Sequence, residues 1–298
     1  MKSANPLLSD AEAIGFAPVG RMRPRWQYTA RGVLWQIQTG SARYLVGEDR
    51  DPGRKRVTFF CLDRQSGKAQ WEGLNPGHEW WTGIEAVKDD VVLFHGFASP
   101  DLPLHKGLHA VELGTGGLLW KNPDARFLSM QSSTLLVSSE SPERNSFLEL
   151  SLSSGAVLGE VGSHGGTSHS SPPRESHRIL PAEFPRQLLP VDFTRQVFWS
   201  DLRRKLPSDA LERSILVLPA GNRCVASYCA PTGSHSDEHP DLCSMLVVFD
   251  SGSFVPLYAD TMNPHAAAVN LEPFFVQDDM LYYVKQRSTL VAVSFRTA

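Results

Sequence analysis

The sequence has few cysteines and no long apolar run. Its 298 residues include four cysteines, which are too few for a disulfide framework. No stretch approaches the roughly 20 apolar residues that span a bilayer, and residues 1–20 lack the apolar core of a secretory signal. These absences argue against a disulfide-stabilised secreted domain and against a transmembrane helix, and they predict a cytoplasmic protein.

An excess of charge of either sign is also lacking. Lys and Arg number 29 against 32 Asp and Glu, which gives a net charge of −3, whereas nucleic-acid-binding domains are usually strongly basic. We therefore predict no nucleic-acid partner. Basic clusters at residues 21–25, 50–56 and 203–205 leave two interpretations open. In the first, the clusters bind an acidic partner or associate peripherally with an anionic membrane. In the second, they only make the surface soluble.

Helical periodicity is scarce in this chain. The chain instead carries short β-branched and aromatic segments bounded by Gly, Pro, Asp or Ser, such as residues 90–94, 134–138 and 245–249. Segments of this kind are typical of strands. The sequence therefore predicts an all-β fold built from many short strands.

A ten-residue unit recurs four times along the chain. Leu62–Trp71 aligns without gaps with Val111–Trp120, residues 150–159 keep the Ser-Gly turn but lose the tryptophan, and residues 249–258 have Tyr258 in its place. Each copy predicts a strand, a turn whose glycine takes positive φ, and a second strand that places an aromatic ring. One such hairpin cannot bury its own apolar face, so the repeats are expected to stack around an axis as a β-propeller.

The number of blades follows from the strands that end at the aromatic place of the repeat, near positions 35, 71, 120, 159, 208 and 258. This spacing predicts six blades, and five or seven remain alternatives. Gly32–Trp35 matches residues 117–120 and is interpreted as an isolated outer strand. Because residues 280–295 leave the last blade one strand short, we expect the N-terminal strand to pair into that blade and close the ring.

The predicted domain plan has an N-terminal arm, residues 1–30, followed by a single propeller domain, residues 31–298. Within that domain, residues 162–177 are rich in Ser, Gly, His and Pro. This composition predicts a low-complexity loop with too little apolar surface to fold by itself.

The unit Leu62-Asp-x-x-Ser-Gly-Lys-x-x-Trp71 resembles the repeat of quinoprotein-type propellers, which include pyrroloquinoline quinone dehydrogenases and non-enzymatic assembly proteins. Residues 79–87, 95–107, 120–124 and 264–275 are similar to an uncharacterised bacterial propeller-like family of unknown function. The resemblance implies a propeller fold and no assigned activity. The chain has no adjacent cysteines and is much shorter than the eight-bladed dehydrogenases, so we predict no quinone cofactor and no other cofactor.

Catalytic motifs are missing: the sequence has no nucleophile elbow, phosphate loop, His-Glu-x-x-His motif or dinucleotide fingerprint. We therefore predict no catalytic residue. Polar and aromatic side chains are candidates for a binding site in the axial channel or on the loops of one propeller face, namely Trp81, Glu85, His95, Asp101, His105, Lys106, His265, Asn270 and Glu272. The alternative is that they satisfy buried backbone groups where blades meet.

One stretch has the residue types of a metal site, with five potential ligands in twenty residues: Cys224, Cys229, His235, His239 and Cys243. Structural zinc needs four thiolate or imidazole ligands in a tetrahedral array. Five positions along a strand place Cys224 and Cys229 on opposite faces. We therefore predict no metal here and interpret these cysteines as core residues.

The function expected from these observations is non-enzymatic. The chain is interpreted as a scaffold or interaction subunit that binds protein partners in a larger bacterial assembly. The alternative is a small-ligand-binding protein or hydrolase with its site in the axial channel.

Overall fold

The computed structural model describes residues 22–99, 102–141, 144–161, 182–188, 192, 197–232, 241–266 and 274–296. These residues form five antiparallel sheets, which confirms the prediction of an all-β chain. The fold divides into two compact units, one within residues 30–161 and the other formed by the described residues up to Thr29 and from 182 onward. No helix in the described part of the chain has the length and apolar character needed to cross a membrane.

The unit within residues 30–161 contains three sheets of four strands each, and every sheet is hydrogen-bonded in chain order. The strands are β2 (Val33–Gln38), β3 (Tyr44–Asp51), β4 (Arg56–Asp63), β5 (Ala69–Leu74), β6 (Thr82–Lys88), β7 (Val91–Ser99), β8 (Leu102–Glu112), β9 (Leu118–Asn122), β10 (Ala125–Gln131), β11 (Thr134–Ser141), β12 (Arg144–Ser151) and β13 (Val157–Val161). Sheets β2–β5, β6–β9 and β10–β13 are therefore up-and-down meanders, as the repeated hairpin predicts.

The second unit contains one sheet in the order β1-β21-β20-β19 and one in the order β14-β15-β16-β17-β18. Its elements are β1 (Pro24–Thr29), β14 (Arg186–Gln187), helix α1 (Val197–Lys205), a 3₁₀ turn (Glu212–Ser214), β15 (Leu216–Ala220), β16 (Arg223–Pro231), β17 (Leu242–Asp250), β18 (Pro256–Ala266), β19 (Phe274–Gln277), β20 (Met280–Lys285) and β21 (Thr289–Ser294). Strand β1 pairs along β21, so segments near the two ends of the chain share one sheet.

The core of each unit lies between consecutive sheets. Phe59 on β4 packs against Phe94 on β7 with ring centroids 4.5 Å apart, and both side chains are fully buried. In the second unit, Val248 on β17 belongs to the same buried cluster as Phe274 on β19 and Val291 on β21. In both places, apolar side chains of one sheet are covered by a neighbouring sheet, which removes them from water.

The repeated turn adopts the predicted conformation in the first three copies. Gly67, Gly116 and Gly155 have φ values of 68°, 74° and 68°, in the region that glycine enters without strain. In the fourth copy the positive φ, 52°, falls on Phe254. The prediction that Gly252 takes this role is wrong, because the residue aligned with the other three glycines is Phe254.

The tryptophans of the repeat connect one sheet to the next. The Trp71 indole N–H donates to the carbonyl of Leu113, and the Trp120 indole N–H donates to that of Leu152, both at 2.8 Å. Each ring also covers the turn glycine of the next copy, since a Cβ on Gly155 would lie 2.7 Å from the Trp120 ring. We refer to these two contacts as the tryptophan connections.

Tyr258 occupies the tryptophan place of the fourth copy and makes a different connection. Its hydroxyl lies 2.6 Å from the hydroxyl of Tyr283 on β20, and the Tyr283 hydroxyl donates to the carboxylate of Asp260. The ammonium of Lys285 donates to the other oxygen of that carboxylate at 2.7 Å. These four side chains, the tyrosine–aspartate network, join β18 to β20.

Two markers used to count blades do not lie on outer strands. Residues 33–35 belong to β2, the first strand of its own sheet, so the interpretation of Gly32–Trp35 as an isolated outer strand is wrong. Position 208 lies in a turn after α1. The N-terminal strand that pairs with the end of the chain is β1, residues 24–29.

Blade number, ring closure and the domain plan stay predictions. Residues 162–177, the predicted low-complexity loop, lie outside the described part of the chain.

Candidate functional site

Four of the predicted site residues come together on the sheet β6–β9: Trp81, Glu85, His95 and His105. Glu85 lies on β6, His95 on β7 and His105 on β8, and His105 is the cross-strand partner of Phe97. Register shifts lie at Glu85 and between His95 and Gly96, so side-chain contacts, not direct cross-strand pairing, bring these residues together. We call Glu85, His95 and His105 the histidine cluster.

The two imidazoles of the histidine cluster are stacked. Their ring centroids are 3.5 Å apart and the planes differ by 11°. The Oε2 atom of Glu85 lies 2.8 Å from Nδ1 of His105, and each of the three residues offers a ligand atom within 4.8 Å of the others. Because an ionised carboxylate only accepts hydrogen bonds, Nδ1 of His105 is the donor, and Nε2 lies on the other side of the ring.

His95 is the buried member of the cluster. Its Nδ1 lies 3.1 Å from the carbonyl oxygen of Gly96, and a carbonyl also only accepts, so Nδ1 carries the proton. Burial lowers the pKa of His95 to about 4; the Gly96 carbonyl opposes this shift, and the positive charges of His105 and Arg50 add to it. The imidazole is therefore neutral at pH 7, with its lone pair on Nε2.

Gly83 makes room for the His95 ring. A Cβ at this position would lie 2.6 Å from Nε2 of His95, closer than any side-chain contact allows. Gly83 and His95 are cross-strand partners on β6 and β7. The His95 ring therefore packs directly against the Gly83 backbone, and a larger residue at position 83 would displace it.

An aromatic wall borders the histidine cluster. The Phe97 ring meets His95 and His105 edge-on at centroid distances of 5.1 and 5.3 Å, and Trp81 meets Phe97 edge-on at 5.8 Å. Edge-to-face contacts of this kind hold rings in fixed orientations. The side chains next to the histidines are therefore held in defined positions.

The segment before β6 carries Trp80 and Trp81, and His78 holds its backbone in place. His78 was not among the candidates from sequence analysis. Nδ1 of His78 accepts the backbone N–H groups of Trp80 and Trp81 at 3.2 and 3.3 Å. The carbonyl of His78 accepts the hydroxyl of Thr82 at 2.8 Å. The only sequence signal for this role is a histidine that precedes Trp80 by two residues.

Arg50 lies between two tryptophans. Its guanidinium carbon is 5.7 Å from the ring centroid of Trp35 and 4.9 Å from that of Trp80, and it donates to the carbonyls of Trp80 and Thr82 at 3.2 and 3.1 Å. Trp35 is 65% exposed. We call Trp35, Arg50 and Trp80 the arginine–tryptophan stack.

Glu48 balances the charge of Arg50. Its carboxylate is buried and forms an ion pair with the guanidinium. Burial raises the pKa of Glu48, and the charge and hydrogen bond of Arg50 oppose this shift.

Arg50 was predicted as part of a basic surface cluster, residues 50–56. That prediction is wrong for Arg50, because its charge is paired and its side chain is 13% exposed. Arg54 in the same hairpin is 84% exposed.

The other predicted site residues are not part of the histidine cluster. Lys106 lies 3.6 Å from the carboxylate of Asp124. His265 belongs to the second unit, where its Nδ1 lies 3.2 Å from Asp241 and its side chain is 77% exposed. Asp101, Asn270 and Glu272 lie outside the described residues.

The three cysteines of the metal-like stretch are core residues. Cys224 and Cys243 belong to one buried cluster and Cys229 to another, consistent with opposite faces of β16 for Cys224 and Cys229. Burial raises the pKa of the Cys224 thiol to about 12, so it stays protonated at neutral pH. His235 and His239 lie outside the described residues.

Comparison with known sequences gives one family match. Residues 39–120 match the family described as "Domain of unknown function (DUF4905)". This stretch contains the histidine cluster, Arg50 and Trp80, and it ends at Trp120. No curated protein matches the chain.

Comparison with solved structures gives matches of low similarity. The quinohemoprotein alcohol dehydrogenase ADHIIG from Pseudomonas putida HK5 is 11% identical with a TM-score of 0.28, over 93% of this chain and 44% of that one, so this chain spans less than half of its length. The WD40 β-propeller domain of Doa1 is 9% identical with a TM-score of 0.30, over 92% and 97% of the two chains. A member of the DUF4221 family from Bacteroides vulgatus is 9% identical with a TM-score of 0.31, over 92% and 97%.

Proposed function

We propose that the protein is a non-enzymatic β-propeller that acts as an interaction subunit in a larger bacterial assembly. Four-stranded meanders in chain order, the tryptophan connections between consecutive sheets and the pairing of β1 with β21 support the propeller. In this proposal the β1–β21 pairing closes the ring, since full closure protects sheet edges.

The arginine–tryptophan stack is the observation that carries the interaction role. Trp and Arg are the residues most enriched at the energetic centres of protein interfaces, and here an exposed tryptophan lies over an arginine that is already fixed. Trp80, Thr82 and Glu48 hold the guanidinium in place. A surface that is ordered before binding loses less conformational entropy when a partner arrives.

The chemistry of the stack defines the partner that it fits. Because Glu48 neutralises Arg50, recognition depends on the exposed ring of Trp35 rather than on net charge. We infer a protein partner that lays an apolar or aromatic side chain on this ring. Binding of this kind depends little on salt, in contrast to binding through basic surface clusters.

The test compares three tagged chains expressed at native level: wild type, Trp35→Ala and Leu158→Ala. Leu158 is a matched control, because it is 57% exposed on β13 and lies outside the stack. After cross-linking and quantitative mass spectrometry, we expect a stoichiometric companion with wild type and Leu158→Ala, and at least a tenfold loss with Trp35→Ala. Recovery of the wild-type chain alone, or retention of the companion by a folded Trp35→Ala chain, contradicts the proposal.

The second candidate function is small-ligand binding or hydrolysis, the alternative given by sequence analysis. It is favoured by one observation: Trp81, Glu85, His95 and His105, four of the residues predicted for such a site, lie together. Half-exposed His105 gives a ligand access to the cluster. Binding of a small ligand to the purified chain, lost in His105→Ala, is the result that would favour this candidate over the interaction role.

A further inference from the structure

The histidine cluster contains the donor atoms of a metal site. Among the residues that the structure describes, Glu85, His95 and His105 are the one group of three His, Cys, Asp or Glu residues whose ligand atoms lie within 4.8 Å of one another. Two imidazoles and a carboxylate are a ligand set that zinc accepts, with water or another ligand in the fourth position. We propose that these three residues bind one zinc-type divalent transition-metal ion.

The separation of the donor atoms is close to what one ion requires. Zinc–nitrogen and zinc–oxygen bonds of roughly 2.0–2.2 Å place two tetrahedral ligand atoms about 3.3 Å apart. Oε2 of Glu85 and Nδ1 of His105 are 2.8 Å apart. An ion inserted between them replaces the shared proton, which is released to solvent, and lengthens this separation by about 0.5 Å.

His95 has the second-sphere contact of a metal ligand. Ligating histidines usually donate their other ring N–H to a carbonyl or carboxylate, which fixes the ring and its tautomer. The Gly96 carbonyl does this for Nδ1 of His95. The nitrogen that remains, Nε2, lies near Gly83 and carries the lone pair that would contact the ion.

One rearrangement is needed for both rings to contact the same ion. Parallel rings 3.5 Å apart direct their lone pairs along parallel planes, so one ring must tilt. His105 is the ring that can move, because 43% of its side chain is exposed, whereas His95 is buried. The buried ring thus provides a fixed donor and the exposed ring closes onto the ion.

The ligand types select the class of metal. Imidazole nitrogens favour zinc and its transition-metal neighbours, whereas Mg²⁺ and Ca²⁺ prefer sites made of oxygen atoms. Two nitrogen donors and one oxygen donor therefore predict discrimination against Mg²⁺ and Ca²⁺. The site shares no residue with the arginine–tryptophan stack, so it can be tested on the purified chain without a partner.

The experiment titrates untagged, chelator-treated protein with Zn²⁺ by calorimetry and with Co²⁺ by absorption spectroscopy. We expect one ion per chain with micromolar or tighter affinity, tetrahedral Co²⁺ bands, and no binding of Mg²⁺. Glu85→Gln removes the negative charge of one ligand and His105→Ala removes an imidazole ligand, so each should weaken Zn²⁺ binding at least tenfold. Both variants leave the buried His95 in place, so a folded protein is expected.

His265→Ala is the matched control, since His265 also meets a carboxylate, that of Asp241, on an exposed surface. Its Zn²⁺ affinity should equal that of wild type. Absence of micromolar binding in wild type overturns the proposal, as does an unchanged affinity in His105→Ala. Thiolate-to-cobalt charge-transfer bands would place the ion at a cysteine and would overturn it as well. Failure to find a protein companion in the Trp35 experiment leaves this assignment unaffected.

Discussion

The two compact units share a repeated turn but connect their sheets through different chemistry. In the unit within residues 30–161, the indole N–H of Trp120 donates to a backbone carbonyl. In the second unit, Tyr258 takes the same place in the repeat and enters the tyrosine–aspartate network with Tyr283, Asp260 and Lys285. In both connections the polar groups form hydrogen bonds with other groups of the protein. Both are therefore interpreted as structural contacts.

The histidine cluster is also polar and also adjacent to aromatic rings, yet it differs from both connections. It lies within one sheet, β6–β9, instead of joining two sheets. Its outer ring, His105, is half exposed, whereas Asp260 and Lys285 are 16% and 22% exposed. Glu85 is as buried as Asp260, at 13% exposed, so the exposed His105 ring, rather than polarity or aromatic content, is what separates the candidate site from a structural contact here.

The largest effect that tests this distinction comes from a pair of tryptophans. Trp120 is buried and hydrogen-bonded, so Trp120→Ala should destabilise the protein by about 3–5 kcal/mol, as expected for a large aromatic removed from a core. Trp35 is 65% exposed, and Trp35→Ala should cost less than about 1 kcal/mol, the size of its cation–π contact. Urea unfolding measures both, and equal costs would contradict the assignment of Trp120 to the fold and Trp35 to the surface.

The turn and the connecting tryptophans could be predicted from the sequence because they depend on local residues. A Ser-Gly turn needs positive φ, and a tryptophan at a fixed distance from it must be buried by something. The place of Trp35 could not be predicted in this way, because Gly-x-x-Trp without the preceding turn occurs in a first strand as readily as in a last one. The strand expected near position 208 is absent for a related reason. The chain forms α1 and a turn in this region, where the repeat would require a strand.

A smaller effect is expected in the tyrosine–aspartate network. Tyr283→Phe removes the hydroxyl that donates to Asp260, and leaving this largely buried carboxylate with fewer donors should destabilise the fold by about 1–3 kcal/mol. His105→Ala removes a side chain that is 43% exposed and should change stability by less than about 0.5 kcal/mol. Thermal and urea unfolding of the two variants compare them directly. A larger cost for His105→Ala would make the histidine cluster a structural contact.

Sequence analysis named all three residues of the histidine cluster but missed residues in the surrounding contacts. Trp81, Glu85, His95 and His105 were candidates because polar and aromatic side chains were expected to line the axial channel or the loops of one propeller face. His78, Glu48 and Arg50 were not, because their contacts reach from one sheet or loop to another and leave no pattern along the chain. Spacing predicts which residues share a face of one strand, whereas the fold decides which strands meet.

The smallest effect concerns the aspartates of the repeated turn. The hydroxyl and backbone N–H of Ser253 hold the pKa of Asp250 below its ordinary value. Because the pKa is lower in the folded state, this contact stabilises the protein above the unfolded pKa of about 3.9, and the stabilisation is lost as the pH falls through the folded value. Asp250→Asn should therefore lower stability slightly at pH 7, where the ionised carboxylate contributes, and the difference from wild type should shrink as the pH falls below about 5. Urea midpoints measured across this range test the effect, with Ser253→Ala as a second variant that raises the Asp250 pKa towards its ordinary value. Identical pH profiles for all three proteins would show that the Asp250 carboxylate contributes nothing to stability. This turn would then be a local feature, unlike the tryptophan connections and the tyrosine–aspartate network, which stabilise contacts between sheets.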